Sequence, residues 1–514
     1  MSNKSLGSAT KVAFIDVTRG SLLTLAEHML RYEAVPVMWM GYGGSRSLSR
    51  VPELYPGCEV YEYWRFNKGG TFFCEGLSFA PDSELLLSKD FLVLKDMSIK
   101  MMDRHDRSGR FRRQEREALF YSLFCFFYSK LREKAIDLII SAHSPHLPAT
   151  MVFYGVCRLL GIKTVHIREV PNAPFCYLAT DFSSAYLKSV PDALLLEKGV
   201  SILVDDLNEI SRARKEPLYM VQQRKTYRSP VSKTPPTFDY SELRKARFFS
   251  EPADTRMTYH VDSVDFLSGS PSVAHAGKGG PKGELRRFKT AVAKLQWDEY
   301  ASLVEQVDLG TEYVFFPLHY EPEKTSNPDG GEYYNTYEAV IAIRSFVPVE
   351  IPIVIKEHIT QFHHDYDGYK GRSPYFYRAI KNLPNVKFVD SGALSRDLVE
   401  NAMLTVCQTG TACLEAACLG KKSLLMGDVW FSSLPNVYRM GDVENFASLM
   451  ARPNFSKDEV AEAAADWARK HCINGYVTGS FIRMHRARGA DAHDLDIDAT
   501  CREIADSLRL NNYI

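Results

Sequence analysis

The chain alternates short apolar runs with helical stretches so regularly that a layered α/β sheet is the fold most consistent with it. The densest instance is LTVCQTGTACLEAACLGKKSLLMG, residues 404–427. Leu404 to Cys407 reads as a buried strand, Thr411 to Leu419 as a helix ended by Gly420, and Ser423 to Met426 as the next strand. The same rhythm runs through YVFFPLHY (313–320), EYYNTYEAVIAIRSFV (332–347), IPIVIKEH (351–358), SPYFYRAIKNL, NVKFVD and SRDLVENA. Connections this short between fully apolar strands predict a parallel sheet covered by helices on both faces.

The front of the chain repeats the pattern. KVAFIDV (11–17) is a strand, a helical stretch follows Gly20, and AVPVMWM (34–40) is the next strand; later AIDLIISAH (135–143), SPHLPATMVFYGVCRLLG (144–161) and KTVHIREV (163–170) read strand, helix, strand. Between about 205 and 290 charge, proline and glycine rise, as in RKTYRSPVSKTPPTFDY, which reads as a helical insertion with linker character. The domains expected are therefore 1–204, an insertion at 205–310, a second α/β domain at 311–480, and a terminal helix at 481–514 that returns to the first domain. At 514 residues the chain is too long for one ordinary core, which agrees with this division.

Composition excludes some classes of function. Lys plus Arg and Asp plus Glu both number 63, so no broad phosphate-binding face for nucleic acid is expected. The ten cysteines form no CxxC pair and no cluster at metal spacing, as in a reduced cytosolic protein. MSNKSLGSATKVAFIDV lacks an apolar signal core, so a cytoplasmic location is expected. The aromatic run ALFYSLFCFFY (118–128) is too short to span a bilayer, but it follows the arginine-rich segment Arg104 to Glu117. That pairing suits either a peripheral contact with an anionic membrane or, more commonly, a solvated loop leading into a buried helix.

Ligands of open α/β sheets bind beyond the carboxyl ends of the strands. Three such ends in the second domain carry polar groups: His319, Tyr320, Glu321 and Glu323; then Lys356, Glu357 and His358; then Gln408, Thr409, Gly410 and Thr411. Lys356 and His358, taken as cations beside a helix N-terminus, would hold a phosphate without a metal, and Gly410 would let an anion approach the backbone. Thr409 and Thr411 add hydroxyl donors, and Glu415, one turn into the helix, would accept from a ribose. The first domain offers Asp16, His143, His146, Arg168 and Glu169, of which His146 and Glu169 are the candidate general bases. Each has an ordinary alternative: a solvated lysine, a structural histidine, a capped helix, or an ion pair between Arg168 and Glu169. Asp365 and Asp367 in HHDYDGY read as a polar loop, with no metal expected.

Taken in order, FPLHYEPEKTSNPDGG, VIKEHI, FYRAI and QTGTACLEAACLGKKSLLMGDVWF resemble the capsule polysaccharide biosynthesis glycosyltransferases, a group that includes bacterial Kdo transferases. The resemblance covers residues 311–440 and reaches the first domain only loosely, through the HSPH turn. It implies a GT-B-like α/β fold of two facing doubly wound Rossmann-like domains with a helical insertion, the nucleotide sugar being held mainly by the C-terminal one. By match, Lys356 and His358 correspond to a Lys-Glu-His-Pro element, and Thr409, Gly410, Thr411 and Glu415 to a Thr-Gly-Thr helix start with its Glu. Ile359 stands where the family has Pro.

The implied activity is metal-independent, inverting glycosyl transfer from a nucleotide sugar, a CMP-activated keto-deoxy sugar being favoured, with no further cofactor. The acceptor would be a surface polysaccharide or its lipid-linked precursor, met at the cytoplasmic face. A nucleotide-sugar 2-epimerase on the same fold, or a non-catalytic scaffold of a capsule assembly complex, are the alternatives.

Overall fold

The computed structural model describes residues 9–16, 20–41, 46–62, 66, 82–104, 113–171, 173–181, 185–212, 281–363, 366–478 and 496–514. The chain forms two compact α/β units. One comprises Met1–Ile99, Arg113–Asp206 and Glu462–Ile514; the other comprises Lys100–Arg112 and Leu207–Ala461. Neither unit is continuous in sequence, and the chain rejoins the first at Glu462. Of the expected insertion, residues 213–280 lie outside the described residues.

The first unit holds strands β1 (Thr10–Asp16), β2 (Ala34–Gly41), β3 (Glu59–Glu62), β4 (Leu138–Ser141), β5 (Lys163–Val170) and β6 (Phe175–Ala179), joined by a late strand, β13 (Cys472–Asn474). Their order is β13-β6-β5-β4-β1-β2-β3. β1 to β5 run parallel, whereas β6 pairs antiparallel with both β5 and β13. The winding reverses between β1 and β4. Phe14 and Trp39 stack in the core at 4.4 Å between ring centroids. The helix Ile497–Leu510 lays Cys501, Ile504, Ala505 and Leu508 into the same cluster as Leu22, Leu25 and Ala26 of the helix Ser21–Leu30. Ser21 Oγ, which donates to the Val477 carbonyl at 2.8 Å, ties the start of that early helix to the returning chain.

The aromatic run lies on the helix Arg113–Lys134, which buries Leu119, Phe120, Leu123, Phe124, Phe127 and Leu131. Phe124 meets Phe91 edge-on at 4.9 Å and Phe127 meets Phe153 at 5.1 Å, so this apolar face is occupied by the unit's own core. Arg113 is paired with Glu117 at 2.7 Å and Asp96 at 3.4 Å. Residues 105–112 of the arginine-rich segment lie outside the described residues. Among the described residues no helix is long and apolar enough to cross a membrane.

The second unit holds β7 (Val314–Pro317), β8 (Ile353–Lys356), β9 (Val386–Phe388), β10 (Leu404–Cys407), β11 (Ser423–Leu425) and β12 (Val437–Arg439). All six are parallel, in the order β12-β11-β10-β7-β8-β9. Alternate residues feed two cores. Phe316, Ile355, Leu404 and Val406 pack on one face, and Phe315, Val354, Val399 and Ala416 on the other. From β7 the chain winds one way through β8 and β9, then crosses back to start β10 beside β7. That reversal opens a crevice at the carboxyl ends of β7 and β10, where neighbouring connections leave in opposite directions.

Candidate functional site

The crevice brings together the polar groups that follow β7, β8 and β10. His319, two residues past β7, accepts the backbone N–H of Thr409 on Nε2 at 3.2 Å. An amide can only donate, so a neutral His319 carries its proton on Nδ1. His358, two residues past β8, accepts the Thr360 N–H on Nδ1 at 3.3 Å, with Thr360 Oγ1 at 2.8 Å from the same atom. Its proton therefore sits on Nε2. Neither His319 Nδ1 nor His358 Nε2 has a hydrogen-bond partner among the described residues, and both side chains are half-buried.

Both imidazoles are neutral at physiological pH. Burial lowers His319 to about 4, with Glu321 opposing and Arg372 adding to the shift. Burial also lowers His358, to about 3, reinforced by the nearby positive charge of Lys356 and by His319 and Arg372. The expectation of a cationic His358 is thus replaced by a neutral N–H donor. Lys356 is only 3% exposed, and its Nζ bonds to Ser395 Oγ at 3.0 Å, toward the β9 side of the sheet.

Beneath the histidines lies a charged network that the sequence did not reveal. Arg372 donates from Nε to Glu357 Oε2 at 3.0 Å, from Nη1 to Glu321 Oε2, and from Nη2 to the His319 carbonyl at 2.8 Å. Tyr377 donates to the same Glu357 oxygen at 2.8 Å, and Glu357 Oε1 accepts the His358 N–H at 2.7 Å. Glu321, expected on the binding edge, is 3% exposed and also accepts from Thr336 Oγ1 at 2.6 Å. Burial alone would raise its pKa, but Lys100 and Arg372 outweigh that and hold it at about 2. One signal pointed here: a carboxylate follows each of β7 and β8, and two carboxylates at a sheet edge call for a shared cation.

The Thr-Gly-Thr turn is built differently from expectation. The Thr409 hydroxyl donates to the Thr325 carbonyl at 2.5 Å, and its N–H is held by His319. A Cβ on Gly410 would lie 3.0 Å from Cys407 Sγ and 3.4 Å from His319 Cε1, so a larger residue would be tight against the packing beneath the turn. The Gly410 N–H has no hydrogen-bond partner among the described residues. The helix spans Ala412–Cys418, shorter than Thr411 to Leu419, and Thr411 makes no side-chain cap. Its hydroxyl lies 3.5 Å from Oε1 of Glu415, which is 8% exposed.

In the first unit, the β1 and β4 ends carry Asp16 and the 141–146 turn. Asp16, 3% exposed, accepts from Trp39 Nε1 at 3.2 Å. The His143 and His146 rings lie tilted against one another, 4.5 Å between centroids, and both direct Nδ1 at the Ser144 carbonyl, at 2.9 and 3.1 Å. A carbonyl only accepts, so each ring carries a proton on Nδ1. Glu169 accepts the N–H groups of Val477 at 3.0 Å and Thr478 at 2.8 Å, and the Thr478 hydroxyl at 2.5 Å. Its carboxylate is thus engaged in holding the segment after β13. In the HHDYDGY loop, Asp367 is held by Lys289 at 2.5 Å and Lys370 at 3.0 Å, and Asp365 lies outside the described residues.

No family model and no curated protein matches the chain. Solved structures that align with it include a UDP-GlcNAc 2-epimerase from Neisseria meningitidis bound to UDP-GlcNAc, at 10% identity and TM-score 0.21, covering 98% of this chain and 100% of that one. MurG of Acinetobacter baumannii aligns at 11% identity and TM-score 0.18, covering 98% and 99%. Anabaena HepE in complex with UDP-glucose aligns at 10% identity and TM-score 0.18, covering 98% and 97%. Likenesses at these TM-scores carry no functional argument.

Proposed function

We propose that the second unit binds the phosphate of a nucleotide-activated sugar and that the protein is a glycosyltransferase of surface polysaccharide assembly. The observation that carries this reading is the pair of tautomerically fixed imidazoles at the winding reversal, with the N–H groups of His319 Nδ1 and His358 Nε2 unclaimed among the described residues. Neutral donors beside a buried lysine suit phosphoryl oxygens, because they offer hydrogen bonds with little of the desolvation cost of further cations. The Gly410 N–H adds a third donor at the same sheet edge.

In this reading the acceptor hydroxyl oxygen attacks the anomeric carbon, the bond from that carbon to the phosphate oxygen breaks, and its electron pair stays on the phosphate. The growing charge is met by His319, His358 and Lys356, and no metal is required for that step. The acceptor hydroxyl must lose its proton to a base as it attacks. Glu169, whose oxygens hold the 477–478 segment, is poorly suited to that role. Transfer is favoured over 2-epimerisation because Glu321 and Glu357, carboxylates that acid–base epimerisation at this edge would call on, are engaged by Arg372. The motif order shared with capsule enzymes supports a CMP-activated keto-deoxy sugar as donor.

Thermal unfolding with CMP, CDP, UDP and GDP tests the reading. One nucleotide should raise the melting temperature of the wild type, and His319→Ala with His358→Ala should abolish the rise while the protein stays folded. A rise that persists in the double variant, or no rise with any nucleotide, overturns the proposal.

A further inference from the structure

The two imidazoles stand on segments after different strands, and nothing in either segment sets their separation. One side chain joins both. The Arg372 guanidinium, 0% exposed, donates to the His319 carbonyl and to Glu321 on the β7 side, and to Glu357 on the β8 side. Glu357 in turn accepts the His358 N–H at 2.7 Å. Phe376 closes the stack, with its ring centroid 4.5 Å from the guanidinium carbon. Two of the guanidinium's contacts therefore lead to the backbone of a histidine, one directly to the His319 carbonyl and one through Glu357 to the His358 N–H.

Stability alone does not account for such an arrangement. Burying one cation and two carboxylates costs several kcal/mol per ion before their attraction is counted, and an apolar cluster of equal volume would do as well or better. The fork's particular property is geometric, since planar paired donors hold two loops at a defined distance and angle. A lysine would keep the charge and lose that property.

We propose that Arg372 is a positioning residue that fixes the spacing and tautomers of His319 and His358 by tying the segment after β7 to the segment after β8. It touches no ligand itself and acts through the His319 carbonyl and Glu357. The inference rests on the proposed function only for what the imidazoles hold; the tie itself is independent of any nucleotide.

The test uses the full-length protein with nitrogen-15 imidazole labelling, resonances being assigned through His319→Asn and His358→Asn. Wild type is expected to show His319 protonated on Nδ1 and His358 on Nε2. Arg372→Lys, with unchanged far-ultraviolet circular dichroism, is expected to lose the single tautomer at His319. It should also weaken whichever of CMP, CDP, UDP and GDP binds wild type, by at least about tenfold. Retention of both tautomers and of that affinity overturns the proposal.

If Arg372→Lys does not fold, Glu357→Gln replaces it. That variant keeps the tie to His319 and weakens the one to His358, so His358 alone should change; no change at His358, or an equal change at both, refutes the inference. Tautomers that depend on Arg372 in a wild type that binds no nucleotide would remove the functional reading and leave the positioning role standing.

Discussion

The backbone N–H of Thr409 donates to Nε2 of His319 at 3.2 Å, so an imidazole beyond β7 reads the main chain beyond β10, 90 residues later. The contact joins the two strands that flank the winding reversal. It also fixes which ring nitrogen faces outward, and hence what the crevice offers a ligand.

Gly410, the next residue, packs closely over Cys407 and the His319 ring. Its backbone angle is ordinary for any residue, so substitution is opposed by packing alone, chiefly by Cys407 Sγ at 3.0 Å from a built Cβ. Gly410→Ala is expected to destabilise by about 1–3 kcal/mol. Adding Cys407→Ala should recover most of that loss. Urea denaturation of the single and double variants measures the coupling, and simple additivity would show that the strain lies elsewhere.

The neutral histidines make stability depend on pH in a defined window. Unfolded histidine takes up its proton near 6.5, whereas His319 and His358 in the fold do so only at about 4 and about 3. Above 6.5 neither state binds the proton and the full stability is present. As pH falls from 6.5 toward 4 the unfolded chain is protonated first and stability is lost, by roughly 2–4 kcal/mol for the pair after allowance for partial exposure. Glu321, held at about 2, contributes its own loss only below about 4.5. Denaturation at pH 7.5 and 5 should therefore differ less in His319→Asn with His358→Asn than in wild type; equal differences would mean that other groups dominate.

Removing the cation from the buried network should be costly, and removing the whole network much less so. Arg372→Met leaves Glu321 and Glu357 without their shared partner and is expected to cost about 3–5 kcal/mol. Adding Glu321→Gln and Glu357→Gln should restore much of that by removing the stranded charges. Guanidinium denaturation of the single and triple variants decides it, with a triple variant weaker than the single one as the contrary result.

The aromatic helix is a core element. Phe127 is 0% exposed and packs on Phe153 and Phe66, so Phe127→Ala is expected to cost about 3–5 kcal/mol. Tyr121, at 39% exposed on the same helix, should tolerate alanine with a loss near 1 kcal/mol or less. Equal effects at the two positions would argue against the packing described.

Two features were readable from the sequence because they are local. Strand and helix announce themselves through the spacing of apolar residues over a few positions, so the runs at 313–320, 351–358 and 404–407 were placed on strands without any knowledge of their neighbours. Chain direction then told which polar residues follow a strand, and so that His319, Lys356, His358 and Gly410 share one edge. The antiparallel partnership of β6 with β13, and the point at which the chain rejoins the first unit, Glu462, were decided by pairing across hundreds of residues. Protonation and hydrogen-bond partners were decided there too. Whether His358 is a cation, whether Glu321 faces a ligand or an arginine, and what Gly410 makes room for depend on burial and on groups contributed by distant parts of the chain. Those are properties of the surrounding dielectric and geometry, which exist only once the two strands at the reversal stand side by side.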